Sequence, residues 1–273
     1  MDKCLVCNEV NCLTYYLEEH KILTCNKCDA VYTEHKFPDK SCYIEDYVNP
    51  SFLERVWVRI THHYISKLIA REYLKYLRLK TKMDFKNSLD IGASYGTFVN
   101  ELNKFGIDSH GIESDQKIVK LAVTKKIKWQ YFDKNYNSNI KYDLICLNQM
   151  ISFIRDNYAV LKCVKNMLTP KGIIFIVDPN PKSPFVKEGL PHRLPYANMI
   201  LSKKNFESLQ NKVGLELIDY SVYRSNLAID FRRGANKKYS FLKYFLKLKK
   251  AFELDPEGNL QFVLLKPSKS NIS

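Results

Sequence analysis

The sequence predicts a doubly wound α/β fold with a small metal-held ribbon at its N-terminus, and three observations carry that expectation. From Asn87 to Val177, apolar runs of strand length alternate with stretches of helical period, the pattern of a parallel sheet with helices on both faces. Six of the eight cysteines lie in the first 42 residues, and four of them form two Cys-x2-Cys pairs. The length, 273 residues, suits one large domain with an attachment, at roughly 150 residues per domain.

Residues 1–45 read as the ribbon. Cys4 and Cys7, then Cys25 and Cys28, are each separated by two residues, with seventeen between the pairs. Two residues between thiolates let one tight turn aim both sulfurs at one ion. Two such turns complete a closed tetrahedral shell for a structural zinc. A segment this short buries too little apolar surface to fold alone, so the metal supplies folding free energy. A redox role fits less well, because neither pair sits at a strand-to-helix turn. Short strands are expected at Thr14–Leu17 and Ala30–Thr33. Cys12 and Cys42 stay outside the set, and His20 and His35 are the residues that could substitute as ligands. Cys146 and Cys163 stand in apolar runs and read as core.

Residues 46–84 form a linker and a long helix. After a Tyr-rich bridge ending in Asn49-Pro50, Phe52, Val56, Ile60, Tyr64, Leu68 and Tyr73 recur near the helical period. That predicts a helix over residues 51–79, packing the ribbon against the main domain. His62 and His63 lie on it but point about 100° apart, so they read as ordinary helix residues rather than a metal pair.

Residues 85–273 form the α/β domain. Strands are expected at Ser88–Ile91, Ile107–Ile112, Ile127–Phe132, Tyr142–Leu147 and Gly172–Val177. Helices are expected at Gly96–Phe105, Gln116–Lys125 and Tyr158–Leu168. A Pro-rich loop, Asp178 to Pro195, follows. A helix at Lys203–Val213 leads to strands at Leu215–Tyr223 and Leu260–Leu265, expected to pair as an antiparallel edge.

The charge balance is basic, 43 Lys+Arg against 29 Asp+Glu, net +14. Such a field attracts nucleic acid, anionic lipid or phosphorylated substrates. Lys outnumbers Arg 34 to 9, a bias that A/T-rich coding produces without selection for binding. The longest apolar run is Ile173–Val177, far short of the ~20 residues of a membrane helix. The N-terminus lacks the apolar stretch of a signal peptide, so a cytoplasmic protein without a transmembrane segment is expected.

The first strand of the α/β domain ends in Asp90-Ile91-Gly92-Ala93-Ser94-Tyr95-Gly96. Glycine lets the chain turn sharply there, and the following helix offers free N–H groups to a ligand. Open α/β sheets bind ligands at this edge. Glu113, 23 residues after Asp90, ends the second strand and can accept both hydroxyls of a ribose. A dinucleotide uses similar geometry, but Ser94 stands where its fingerprint needs the middle glycine. Asp90 would also oppose a pyrophosphate and suit a cationic sulfonium carrying an ammonium group.

These residues resemble class I S-adenosylmethionine-dependent methyltransferases: D-I-G-A-S-Y-G-T-F followed by G-I-E. Lys141–Leu147 is similar to the family's fourth strand, Met167–Ile174 to its approach to the fifth, and Leu201–Leu215 to its late helix-to-strand passage. The resemblance spans about residues 85–225 and implies a Rossmann-like, seven-stranded methyltransferase sheet with S-adenosylmethionine as cofactor. It implies that Gly92, Ala93, Ser94 and Gly96 line the methionine portion and that Asp90 holds the ammonium. Glu113 would bind the ribose hydroxyls, Asp133 the adenine amino group, and Asn148 would close the pocket near the sulfonium. The Cys4 ribbon fits a subgroup whose members often act on sugars or other small metabolites. Where the family often carries Glu-His after the fourth strand, this chain has Ser152-Phe153.

A sugar hydroxyl needs a general base, and His192 in the Pro-rich loop is the candidate, with Arg193 beside it for a substrate phosphate or carboxylate. Residues 231–250 carry Arg232, Arg233 and six lysines interleaved with apolar residues and no acid. Such a segment can lie on an anionic membrane surface, clasp RNA, or pack on the sheet edge with a solvated Lys face. The sequence therefore points to methyl transfer onto a sugar or small-metabolite acceptor, with surface-glycan biosynthesis as one setting. An RNA-base methyltransferase and a non-catalytic cofactor-binding protein are the alternatives.

Overall fold

The computed structural model describes residues 3–10, 12–17, 20–34, 52–154, 156–184, 197–225 and 252–268, with the backbone alone over 52–66. The ribbon holds β1 (Cys12–Leu17), β2 (His20–Cys25) and β3 (Val31–Thr33). The long helix α1 (Phe52–Thr81) leads into β4 (Asn87–Ile91), α2 (Thr97–Lys104), β5 (Asp108–Glu113), α3 (Gln116–Lys120) and β6 (Ile127–Trp129). Next come β7 (Tyr142–Asn148), a single 3-10 turn (Ile151–Phe153), α4 (Asn157–Asn166), β8 (Leu168–Pro179) and β9 (Met199–Ile200). The chain continues through α5 (Lys203–Glu207), α6 (Leu209–Val213), β10 (Leu215–Ser225), β11 (Phe252–Leu254) and β12 (Leu260–Pro267).

The main sheet has the order β11-β10-β12-β8-β7-β4-β5-β6. The five strands β8-β7-β4-β5-β6 run parallel, and β12 enters antiparallel between β8 and β10. The order reverses beside β4, so the crevice expected of a doubly wound sheet opens at the carboxyl ends of β4, β5 and β7. The last two long strands do pair antiparallel, but they are not both at the edge. β12 is interior, and its buried run Phe262-Val263-Leu264-Leu265 is apolar on both faces, as an interior strand must be.

Two apolar layers sandwich the sheet. On one face Tyr73, Leu74 and Leu77 of α1 pack on Phe98, Leu144, Phe175 and Phe262. On the other, Val160, Leu161 and Val164 of α4 join Phe206 and Leu209, and the same cluster takes in Leu23, Tyr32 and the buried cysteines of the ribbon. The ribbon thus docks on the face opposite α1, and the described part of α1 does not bridge it to the sheet as its amphipathic pattern suggested.

Several local departures have plain causes. The helix expected to reach Lys125 stops at Lys120 because Val123 N–H turns back to the Tyr95 carbonyl (2.9 Å). The helix expected over Lys203–Val213 is two, meeting at Ser208, whose N–H is shared between the Lys204 and Asn205 carbonyls and whose hydroxyl donates to the Asn205 carbonyl at 2.7 Å. The ribbon hairpin has an inner strand, β2, that the reading of 14–17 and 30–33 passed over; Ile22 and Leu23 were its signal. Cys146 and Cys163 are core, as expected. Among the described residues no helix is long and apolar enough to cross a membrane.

Candidate active site and cysteine centre

The glycine loop after β4 is strapped to the end of β5. Gly92 and Ala93 N–H both donate to the Ile112 carbonyl at 3.0 Å, and Ser94 N–H donates to Glu113 Oε2 at 2.9 Å. Glu113 Oε1 accepts from the N–H groups of Ser114 (2.7 Å) and Asp115 (3.1 Å), so the carboxylate is fixed at the strand end. Gly92 has φ 77°, and a Cβ there would meet Met150 Cγ at 3.0 Å. Gly111 in β5 must also lack a side chain, because a Cβ would lie 2.6 Å from that of Ala93 and 2.5 Å from Ile127 Cδ1. The loop can press onto β5 only through that gap.

Ser94 adopts φ 49°, the left-handed region, at the place of the missing middle glycine. An L-residue there carries about 1–2 kcal/mol of strain that glycine does not. Replacing Ser94 by Gly is therefore expected to leave cofactor binding intact and raise the melting temperature, by up to about 1 kcal/mol of stability. Thermal unfolding with and without S-adenosylhomocysteine checks this.

Asp90 and Asn148 are the electrostatic centre of the crevice. They stand at the ends of neighbouring parallel strands, on the same face as Cys146. Asp90 Oδ1 and Asn148 Oδ1 are both buried acceptors with no donor. Burial, with the Glu113 charge adding to it, pushes the Asp90 carboxyl up to about 8. A buried carboxylate lacking a partner is costly, and a cation placed against it relieves that cost. The two oxygens can therefore accept a positively charged group.

Asp133 is half-buried and its Oδ1 accepts from Asn135 N–H at 2.8 Å, so it shapes a turn after β6. The structure thus gathers Asp90, Gly92, Ala93, Ser94, Gly96, Glu113 and Asn148 at the ends of three adjacent strands, with Asp133 beyond β6. His192, Arg193 and the basic stretch 231–250 lie outside the described residues, as do His35 and Cys42. Sequence reasoning missed two residues here. Met150 covers the glycine loop, and Asp178, next to last in β8, accepts from Ser152 Oγ at 2.9 Å with both residues buried. The signal for Asp178 was a carboxylate closing an otherwise apolar buried strand.

The four ribbon cysteines converge. All four Sγ atoms lie within 4.8 Å of one another, with Cys4–Cys28 at 3.6 Å and Cys7–Cys25 at 3.5 Å. A zinc with Zn–S of about 2.3 Å sets its sulfurs about 3.8 Å apart, so the set fits a tetrahedral metal. The two knuckles are built alike. In each, a backbone N–H points back at the first sulfur at 3.4 Å, from Val6, two residues on, to Cys4 Sγ and from Cys28, three residues on, to Cys25 Sγ. Asn8 and Asp29, each following the second cysteine, take φ 61° and 57°, a conformation Asn and Asp tolerate. Their N–H groups close the turns onto the Cys4 and Cys25 carbonyls at 2.9 Å. Cys12 stays outside, its sulfur 3.5 Å from the Tyr32 hydroxyl, and His20 is not among the four.

The α/β domain grips both knuckles symmetrically. Lys212 Nζ donates to the Val6 carbonyl and Lys204 Nζ to the Lys27 carbonyl, each at 3.0 Å. Ser202 Oγ donates to the Cys28 carbonyl. Val6 and Lys27 occupy the same place in their knuckles, so each turn is held by one ammonium group.

Residues 61–220 match the family model described as a methyltransferase domain, more than half of the chain. Among solved structures, the plantazolicin methyltransferase BpumL in complex with a monoazolic desmethylPZN analog and SAH aligns with TM-score 0.50 at 20% identity, over 75% of this chain and 85% of its own. A chain of the Haloferax volcanii complex containing the Trm112 methyltransferase activator aligns with TM-score 0.52 at 12% identity, over 71% and 88%. An S-adenosylmethionine-dependent methyltransferase from Clostridium acetobutylicum aligns with TM-score 0.49 at 13% identity, over 72% and 90%. At these identities the likeness to the first two is one of fold. No curated protein matches the chain in sequence.

Proposed function

The chain belongs to the methyltransferase-domain family and is an S-adenosylmethionine-dependent methyltransferase; from that premise we propose that it methylates a sugar or other small metabolite and that its cysteine centre holds a structural zinc. The observation that carries the cofactor assignment is the pair of unpartnered buried oxygens, Asp90 Oδ1 and Asn148 Oδ1, at the mouth of the glycine loop. S-adenosylmethionine, when bound, supplies a methyl group already activated on a sulfonium. Asp90 takes its ammonium, Glu113 its ribose hydroxyls, and Gly92, Ala93, Ser94 and Gly96 line the methionine portion. Asp133 faces the adenine amino group, and Asn148 closes the pocket near the sulfonium. Methyl transfer of this kind needs little covalent work from the protein beyond holding the acceptor in line and excluding water. For a hydroxyl acceptor, His192 takes the proton from the acceptor oxygen as the new C–O bond forms. In sequence it lies between β8, which ends at Pro179, and β9.

The ribbon docks on the α/β domain through Ser202, Lys204 and Lys212, with Cys4, Cys25 and Cys28 buried and Leu5, Asn8, Asn26 and Lys27 of its knuckles exposed. The test uses methyl-labelled S-adenosylmethionine with purified protein and a cell extract separated into RNA, protein and small-molecule or glycan pools. Label in the small-molecule or glycan pool is expected, and His192→Ala should lower it by about 100-fold while S-adenosylhomocysteine still binds. Label confined to RNA would overturn the acceptor assignment.

A further inference from the structure

A continuous run of hydrogen bonds, unused by the methyl-transfer reading, joins the ribbon to the carboxyl ends of β7 and β8. Thr33 of β3 donates through Oγ1 to the Ala197 carbonyl (3.1 Å) and through its N–H to the Asn198 carbonyl (3.4 Å). β3 then pairs antiparallel with β9, Val31 opposite Ile200 and Tyr32 opposite Met199. The Asn198 side-chain amide donates to the carbonyl of Phe153, the last residue of the 3-10 turn. From the sheet, Gln261 Nε2 donates to the Leu201 carbonyl at 2.7 Å. Residues 197–201 are thus bonded to the ribbon on one side and to the sheet on the other, and they hold the turn that follows Asn148 and Met150.

The glycine loop is held differently. Its straps run to Ile112 and Glu113 of β5, and among the described residues none of its hydrogen bonds reaches the ribbon. The hydrogen bonds that hold the cofactor side and the ribbon side are therefore separate sets, and the two sides meet where Met150 lies over Gly92. β3 starts three residues after Cys28, so its position depends on the second knuckle.

We propose that the ribbon is the fixed wall of the acceptor side. Thr33 and Asn198 are positioning residues that transmit the ribbon's fold to residues 150–153, so that filling of the four-cysteine centre sets acceptor turnover and leaves cofactor affinity unchanged. This rests on the reading of the β7 and β8 ends as the acceptor side of a methyl-transfer site.

The experiment compares zinc-loaded wild type with Asn198→Ala and Thr33→Val, each in the full chain. Four quantities are read: metal content, S-adenosylhomocysteine affinity by calorimetry, backbone amide exchange, and label transfer into the small-molecule fraction of a cell extract. Both variants should keep the metal and hold their affinity within about threefold. Exchange at residues 150–154 should speed up by about tenfold, and label transfer should fall by about tenfold. Chelation of the wild type should reproduce the exchange pattern. Unchanged exchange at 150–154 in both variants overturns the proposal. So does a fall in affinity accompanied by faster exchange across 92–96, because the ribbon then supports the whole domain. A wild type that labels nothing in the small-molecule fraction refutes the acceptor class alone, and the exchange and affinity measurements still decide the positioning role.

Discussion

Asp90→Asn is expected to abolish tight cofactor binding and, at the same time, to stabilise the empty protein above neutral pH. The two effects have one origin. Asp90 is wholly buried, its Oδ1 has no donor, and burial pushes its carboxyl from 3.8 up to about 8. Because the folded value lies above the unfolded one, the native state holds its proton more tightly than the unfolded chain does. That contribution to stability is complete below pH 3.8 and is lost as the pH rises through about 8. Asparagine has no such proton to lose. The variant should therefore unfold at a higher temperature than the wild type at pH 8.5, by an amount on the order of a few kcal/mol, and the gap should close at pH 5. Ligand binding runs the other way. A bound ammonium favours ionised Asp90, so wild-type affinity for S-adenosylhomocysteine should rise from pH 5.5 to about 7.5, below the range where an α-amino group gives up its own proton. Asp90→Asn should bind about 100-fold more weakly at pH 7.5 and lose most of that pH dependence. Calorimetric titrations at four pH values, with melting curves beside them, measure both halves. A variant that binds as tightly as the wild type would remove Asp90 from the cofactor site.

Among the candidate-site residues, Asp90, Glu113 and the four cysteines are legible in sequence because each is marked by its near neighbours. A carboxylate before a glycine turn, an acid at the next strand end and two Cys-x2-Cys turns need only local chemistry to be recognised. The same holds for the parallel core, where each strand and helix announces itself by its own period. What escaped was pairing across long stretches of chain. β9 is two residues long and meets β3 some 170 positions earlier, so no periodicity marks it. The interior place of β12 depends on competition with β10 for the side of β8, which neither strand's pattern decides. Ser152 was read as a gap where a base is common. Its hydroxyl instead finds Asp178 in the next strand, 26 residues on, a partnership that exists only once β7 and β8 lie side by side.

Removing one thiolate should have the largest effect on stability. Cys25→Ser is expected to lose the metal, open residues 3–34 to proteolysis and lower the melting temperature by about 10 °C or more, since each kcal/mol moves a chain of this size by about 2–4 °C. The ribbon's strands are short and its apolar core is small: Ile22 and Val31 cluster with Ala197 and Ile200, and Leu23 and Tyr32 belong to the core of the α/β domain. Its internal stability therefore comes from the cysteine centre, where structural zinc sites in small modules contribute about 10 kcal/mol or more of binding free energy. Losing it also uncovers Met199, Leu201, Phe206 and Leu209, which share the ribbon's core. Cys12→Ser is the control: its sulfur meets the Tyr32 hydroxyl and belongs to no metal set, so that variant should keep one zinc per chain and melt close to the wild type. Zinc quantified per chain, with scanning calorimetry and limited proteolysis on the same samples, separates the two. If Cys25→Ser kept full zinc and its melting temperature, the cysteine cluster would not be the structural centre of the ribbon. Loss of zinc with an unchanged melting temperature would mean that packing on α5 and α6 holds the ribbon without metal.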